Sequence, residues 1–318
     1  MKTVTISITL TSLMAFSFLL CFSQDFPKLK TTNHILIKGT NIYMIPPSTF
    51  ELTNNFKGFQ NPDDQTSMIM IVEIPGPLSE VSKGFNLEKL KDAGMRLIGK
   101  AEVQISEYSG FLLEVDQSAN GIIFSKHILV YGNEKSSTLI NGIYIKDSLQ
   151  LGMSIKESIL TTFIDSKFES NPRDALDYSF NENVGSLKFH SVIGNGMLFN
   201  RDLKTPTESA DKTTLFTDKS FARIDIADKK LFCISRLKKY PEDYTMLVSK
   251  GISPIELDNL TGFELYAKSN ENDDIEIYQV ILFNEEGGYY LFVGEYLAGN
   301  EKAISDIKKI IQTFKKKK

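Results

Sequence analysis

Apolar positions recur along this chain with two different periods, and the switches between them mark out its elements. Ser67 to Ile74 is a nearly continuous apolar run closed by Pro75-Gly76-Pro77, the pattern of a strand ended by breakers. Asn86 then stands where a helix through Leu87, Leu90 and Met95 needs its N-cap, with Gly94 near its end. Strand-like runs follow at about 102–105, 110–115, 122–131 and 138–145. Ser118-Ala119-Asn120-Gly121 and Gly132-Asn133-Glu134-Lys135 separate the last three and are rich in turn formers. The whole reads as an antiparallel meander. Ile155, Ile159 and Phe163 then recur at four-residue spacing and predict a terminal amphipathic helix.

The second half repeats this plan. Strands are expected at 221–226 and 231–236, and a short helix at 241–247 with Pro241 at its first position. Further strands are expected at 262–267, 275–283 and 289–296, with Asn284-Glu285-Glu286-Gly287-Gly288 as the hairpin turn between the last two. Ile304, Ile307, Ile310, Ile311 and Phe314 form a final amphipathic stripe. Cys233, inside 231–236, reads as a buried, inert thiol. Residues 202–219 read as a long polar loop. Residues 166–177, broken at Asn171-Pro172-Arg173-Asp174, read as the linker between the halves.

The halves also match residue by residue. Gly110-Phe111 and Gly262-Phe263 are 152 positions apart. The same offset pairs Leu139 with Leu291, Gly142 with Gly294, Tyr144 with Tyr296 and Ile155-Lys156 with Ile307-Lys308. A shared offset with a shared order of elements argues for an internal duplication. The expected organisation is a signal peptide at 1–23, unit one at 24–167, a linker at 168–175 and unit two at 176–318.

The leader rests on its own pattern. Lys2 is the one charge before Asp25, Leu13 to Leu20 is a compact apolar run, and Cys21 and Ser23 put small residues at −3 and −1 of a cleavage after Ser23. The run is short of the ~20 apolar residues a spanning helix needs. Lipidation at Cys21 is disfavoured because Leu20 stands where a small residue is required. Cleavage leaves Cys233 as the single cysteine, so no internal disulfide forms. The expected location is secreted or periplasmic, with no integral membrane segment after cleavage.

Each unit thus reads strand pair, strand, helix, antiparallel meander, terminal helix. A Gly-Phe opens the meander and a Gly-x-Tyr lies in its last strand (Gly142 to Tyr144, Gly294 to Tyr296). This pattern resembles the PsbP-like superfamily. The first unit is also similar to uncharacterised secreted proteins of Bacteroidetes-type bacteria, through Gly39 to Pro47, Phe56 to Gln60 and Glu73 to Pro77. The resemblance implies an α+β fold of two tandem PsbP-like units, each an antiparallel β-sheet flanked by helices. It also implies binding or assembly rather than catalysis, and it carries over no catalytic residue.

Composition narrows the chemistry. The 318 residues carry a net charge of −4, and four lysines close the chain at Lys315 to Lys318. An acidic body argues against nucleic acid as partner. The tail reads as a solvated, frayed end. His34, His127 and His190 lack metal-ligand spacing, and no Gly-x-Ser-x-Gly elbow or phosphate loop appears. Asn270-Glu271-Asn272-Asp273-Asp274 lacks the EF-hand spacing and reads as a solvated hairpin turn. No metal and no cofactor is expected.

There are 22 Phe and 12 Tyr but no Trp, so any ring-based recognition rests on these. Phe56 and Phe59 flank Lys57-Gly58 in a loop-like segment. Tyr289-Tyr290 begins a strand, where alternation puts one ring on each face. These four are the sequence candidates for a binding surface. The expected function is a non-enzymatic binding or accessory protein of the cell envelope, with a protein or another envelope component as partner. Two alternatives stand beside it: a small-molecule, lipid or glycan binder using a cleft, and a hydrolase with dispersed carboxylates.

Overall fold

The computed structural model describes residues 26–64, 66–119, 121–221 and 223–317. The expected leader, its cleavage after Ser23 and Cys21 lie outside the described residues.

The N-terminal half opens with β1 (Ile35–Leu36), β2 (Ile42–Met44), β3 (Glu51–Leu52), β4 (Gly58–Gln60) and β5 (Met68–Pro75). Two short helices follow, α1 (Leu78–Val81) and α2 (Leu87–Asp92), then β6 (Met95–Ile105), β7 (Tyr108–Ala119), β8 (Ile122–Gly132) and β9 (Ser136–Ile145). The helix α3 (Leu149–Leu160) and β10 (Phe163–Ile164) close it. Seven strands form one sheet in the order β3-β4-β5-β9-β8-β7-β6, every neighbour antiparallel. β1, β2 and β10 make a separate small sheet.

The C-terminal half contains β11 (Tyr178–Ser179), β12 (Lys188–Ile193), β13 (Gly196–Asn200), β14 (Thr214–Lys219) and the helix α4 (Lys229–Arg236). After these come β15 (Tyr244–Met246), β16 (Ile252–Leu257), β17 (Leu260–Ser269), β18 (Ile275–Phe283), β19 (Tyr289–Leu297), α5 (Glu301–Ile311) and β20 (Lys315–Lys316). Its sheet runs β12-β13-β14-β19-β18-β17-β15, with β16 also on β17. The protein is therefore an antiparallel α+β fold built on two large sheets. Among the described residues, no helix is long and apolar enough to cross a membrane.

Each sheet is covered on both faces. Alternation along β7 sends Leu112 toward α3 and Phe111, Leu113 and Val115 toward the α1–α2 segment. Alternation along β19 sends Tyr290 and Phe292 toward α5, and Leu291 toward α4. The terminal helices supply the apolar stripes. Ile155 and Ile159 on α3, and Ile307 and Ile310 on α5, are fully buried. Burying each such side chain contributes about 1.5–3 kcal/mol.

The glycines of the repeated motif explain how those helices sit so close. A Cβ at Gly142 would collide with the Ile155 side chain, and one at Gly294 would lie 2.6 Å from Ile307. Each glycine is a bare patch of sheet into which an isoleucine of the following helix settles.

Several expectations held. Asn86 caps α2, its side chain accepting the Lys89 N–H at 2.9 Å. The helix ends earlier than expected, at Asp92, because Gly94 turns the chain with φ +70° and β6 begins at Met95. The turn at 284–288 joins β18 to β19.

Others failed for identifiable reasons. Residues 231–236 are not a strand but part of α4. Asp228 caps it by accepting the Leu231 N–H, and Cys233 and Leu237, four apart, share its buried face. Residues 241–247 are not a helix: Tyr244 to Met246 pair with β17. No strand forms at 221–226 among its described residues. The strand beside β19 is instead β14, from the end of the expected loop 202–219, in register from Thr214–Glu295 to Lys219–Tyr290. Within the lysine tail, the first residues are not a free end. Lys315 and Lys316 pair with β11, and the Lys315 ammonium reaches Asp258 at 2.8 Å. Unpaired edge backbone at Tyr178–Ser179 gives the tail a partner that charge alone did not announce.

Candidate functional site

The strand pair β14–β19 builds a cavity on the sheet face that α4 covers in part. Along β19, Leu291, Val293 and Glu295 alternate onto this face. Along β14, Thr214, Phe216 and Asp218 do the same. The segment after α4 closes the side with Tyr240, Pro241 and Tyr244. The cleft has a volume of about 420 Å³, and more of its wall is apolar than polar. That volume lies within the ~300–1,000 Å³ usual for ligand pockets.

Its polar groups are few and perturbed. Burial pushes the Asp218 carboxyl above the usual carboxylate range, against the opposing pull of the Lys219 N–H and the Arg236 charge. Burial raises Glu295 as well, and nearby Glu242 adds to the effect, while the Tyr244 hydroxyl, 3.3 Å away, donates to Glu295 and partly offsets it. The phenols of Tyr240 and Tyr244 are held neutral, chiefly by burial. Tyr240 donates its hydroxyl to Gln279 at 2.5 Å, and Gln279 donates to the Cys233 carbonyl at 2.9 Å, which ties the wall to α4. The Nε of Arg236 is buried without a protein partner. An apolar floor with carboxyls that burial pushes toward neutrality suits a ligand with an apolar body and a hydrogen-bonding head.

The buried cysteine of α4 is a weak nucleophile. Burial pushes the Cys233 thiol up to about 12, so the thiolate is scarce near neutral pH. The Cα positions of Asp218 and Glu295 are offset by four residues of strand, because Asp218 faces Leu291 in the register. That is about 13 Å along the strand, beyond the ~5–9.5 Å carboxyl separation of glycosidases unless the side chains converge. Among the described residues, no group of three or more His, Cys, Asp and Glu is placed to hold a metal ion.

The four sequence candidates do not gather into one surface. Phe59 is fully buried in the N-terminal core, and Phe56 is buried with its ring 6.5 Å from Phe221. Tyr290 is fully buried on the α5 side, its ring 5.1 Å from that of Phe314. Tyr289 points to the other face, 5.0 Å from the Phe232 ring on α4. Apolar rings were drawn into the cores instead of being displayed. His127 lies on β8, stacked on Tyr144 with ring centroids 5.5 Å apart. His34 and His190 bond elsewhere, to Thr161 and Thr205.

Sequence reasoning missed Asp218, Arg236, Tyr240, Tyr244 and Glu295. They come from three segments, and no local spacing joins them. One signal was present: a glutamate at 295 continues the inward alternation of Leu291 and Val293.

No family model and no curated protein matches this chain. Among solved structures, LpqN, involved in cell envelope biogenesis of Mycobacterium tuberculosis, is 18% identical over 39% of this chain and 82% of its own, with a TM-score of 0.32. The cyanobacterial PsbP of Synechocystis is 8% identical over 44% of this chain and 96% of its own, with a TM-score of 0.32. The type VI secretion immunity protein TplEi of Pseudomonas aeruginosa is 9% identical over 90% of this chain and 98% of its own, with a TM-score of 0.34.

Proposed function

We propose that this chain is a secreted or periplasmic, non-enzymatic binding protein of the cell envelope, built of two tandem PsbP-like units near 24–167 and 176–318. Its ligand is a small amphiphile held in the β14–β19 cavity. One observation carries this reading: an apolar cavity of about 420 Å³ whose carboxyls, Asp218 and Glu295, are both shifted toward neutrality by burial. Carboxyls whose charge burial already disfavours suit an uncharged polar head better than an anion.

The test is uptake of the neutral dye Nile red and its displacement by dodecanol. Val293→Phe narrows the cavity from its wall and is expected to abolish uptake while the circular dichroism stays unchanged. Dye binding equal in parent and variant, or absent from both, ends the proposal. The hydrolase reading rests on the same two carboxyls. Turnover of any glycoside that is lost in both Asp218→Asn and Glu295→Gln would replace binding with catalysis.

A further inference from the structure

The two halves carry equivalent edge strands that differ in one respect. β6 and β16 are each joined to the next strand by a two-residue turn, Ser106-Glu107 and Asp258-Asn259. The ladders that follow match at the 152-residue offset. Lys100 opposes Leu113 as Ile252 opposes Leu265, and Glu102 opposes Phe111 as Pro254 opposes Phe263. A two-residue hairpin makes its closing pair, Ile105–Tyr108 or Leu257–Leu260, a hydrogen-bonded one. Alternate residues back from that pair bond inward, so Lys100, Glu102 and Gln104 turn their N–H and C=O outward. Pro254 agrees with this parity, because a proline in an edge strand holds its donorless nitrogen to the outside. On β16 that proline hinders pairing with a further strand. β6 has no proline. It ends the order of its sheet, and among the described residues the outward backbone groups of Lys100, Glu102 and Gln104 meet no partner.

Charge and symmetry set what fits this edge. A bulge between Leu97 and Gly99 interrupts β6, so the regular open segment is short, from Lys100 to Gln104. Lys100 and Glu102 share one face of it, and the Glu102 side chain is 80% exposed. A second copy related by a two-fold axis normal to the sheet pairs antiparallel with this segment and keeps like faces together. Opposed positions then share a face, which leaves few registers. Centring the axis on Lys100 or on Glu102 sets like charges against each other. Centring it on Val103 opposes Glu102 to Gln104 and forms no ion pair. Centring it on Ala101 sets Lys100 against Glu102 of the second copy on both sides of the axis, and each opposed pair exchanges both of its backbone bonds. Ala101, small and exposed, stands at the crossing. Closure about the axis occupies this edge in both copies, so assembly through it stops at a dimer.

We propose that the protein forms a two-fold dimer by joining β6 to β6 of a second copy, centred on Ala101, with Lys100 paired to Glu102 across the axis. The edge belongs to the N-terminal half, and the dimer does not rest on the amphiphile reading. The test is sedimentation of the full chain at rising concentration, at low and high salt. A reversible monomer–dimer equilibrium is expected, and it should weaken as salt rises. Glu102→Pro copies the proline of β16 and removes an outward donor while leaving the ladder to β7 whole. It is expected to weaken dimerisation about tenfold or more with the circular dichroism unchanged. Lys100→Glu and Glu102→Lys, both at exposed residues, oppose like charges and are each expected to weaken it about tenfold or more. An equimolar mixture of these two variants is expected to recover the dimer, because each carboxylate again faces an ammonium. A chain that stays monomeric up to about 1 mM overturns the proposal, leaving the edge to a partner of another kind or to none. A dimer that Glu102→Pro leaves intact belongs to another face and overturns it too, as does a mixture that associates no more tightly than the separate variants. Nile red uptake by the β14–β19 cavity is read independently, so the two proposals fail separately.

Discussion

The two halves seat their terminal helices in the same way but finish the sheet faces differently. In both, a glycine in the last long strand receives an isoleucine, Gly142 with Ile155 and Gly294 with Ile307. In both, the next residue of the helix is a lysine that reaches a sheet carboxylate. Lys156 meets Glu114 at 2.5 Å, and Lys308 stands 3.9 Å from Glu264. The partners around these lysines diverge. The N-terminal half places His127 beside Glu114, at 3.8 Å, and the C-terminal half has Tyr278, which donates its hydroxyl to Glu264. The larger divergence is on the opposite faces. In the N-terminal half, Leu90, Phe111 and Val130 fill the space beneath α1 and α2 with apolar packing. In the C-terminal half, α4 leaves the β14–β19 cavity open. A glycine–isoleucine contact seats the terminal helix in each half, and the segments laid on the opposite faces differ.

The largest test of this comparison is on the helix seats. Ile155→Ala and Ile307→Ala are each expected to cost about 2–5 kcal/mol, because both leave a cavity in a fully buried contact. Urea unfolding reads the loss. A cost below ~1 kcal/mol at either site would break the equivalence of the halves.

A smaller effect belongs to one half alone. Asp306 on α5 is nearly buried. Burial opposes its ionisation, but bonds from Lys302, Ser186 and Arg201 outweigh this and hold its pKa at about 2. A lowered carboxylate stabilises the fold above its unfolded pKa, and the benefit is lost as pH falls through the folded one. Asp306→Asn is therefore expected to cost roughly 2 kcal/mol at pH 7. The difference from the parent should vanish between about pH 4 and pH 2. Stability curves at several pH values measure it.

The smallest effect contrasts two aspartates in sign. Asp116, in the N-terminal half, accepts from Arg96 at 2.5 Å, Lys146 at 2.8 Å and Ser125 at 2.7 Å. These bonds lower its pKa despite burial. Asp218, in the C-terminal cavity, is raised by burial. Ionising a raised carboxyl opposes folding. Its penalty is absent below the unfolded pKa and grows as pH rises to the folded one. Asp116→Asn should destabilise at pH 7 and Asp218→Asn should stabilise, and both differences should fade in acid. Melting temperatures at neutral and acid pH decide it. The same sign for both would remove the distinction between a carboxylate with charged partners and one that burial alone dominates.

Sequence periodicity located the meander strands β7, β8 and β9 and their counterparts β17, β18 and β19, because each is long and pairs with its chain neighbour. It also located the stripes of α3 and α5 and the Asn86 cap, although Phe163 and Phe314 lie past the helix ends, Phe163 in β10. The motif glycines were legible as repeated residues, although their role as helix seats was not. Short apolar runs were ambiguous: Leu231-Phe232-Cys233-Ile234 fits a strand or a helix face, and Asp228 as cap was the deciding detail.

What the sequence determined by itself was local: turns, caps and the faces of long elements, all set by nearest neighbours along the chain. What only the tertiary structure decided was non-local. Thr214 to Lys219 became a strand because β19 offered it a ladder, and the lysine tail became one because β11 did. The β14–β19 cavity joins residues from distant segments, and Asp218 gained its perturbed carboxyl only when the sheet and α4 excluded water around it. Backbone pairing and desolvation depend on which segments meet, and that information lies in no single window of the chain.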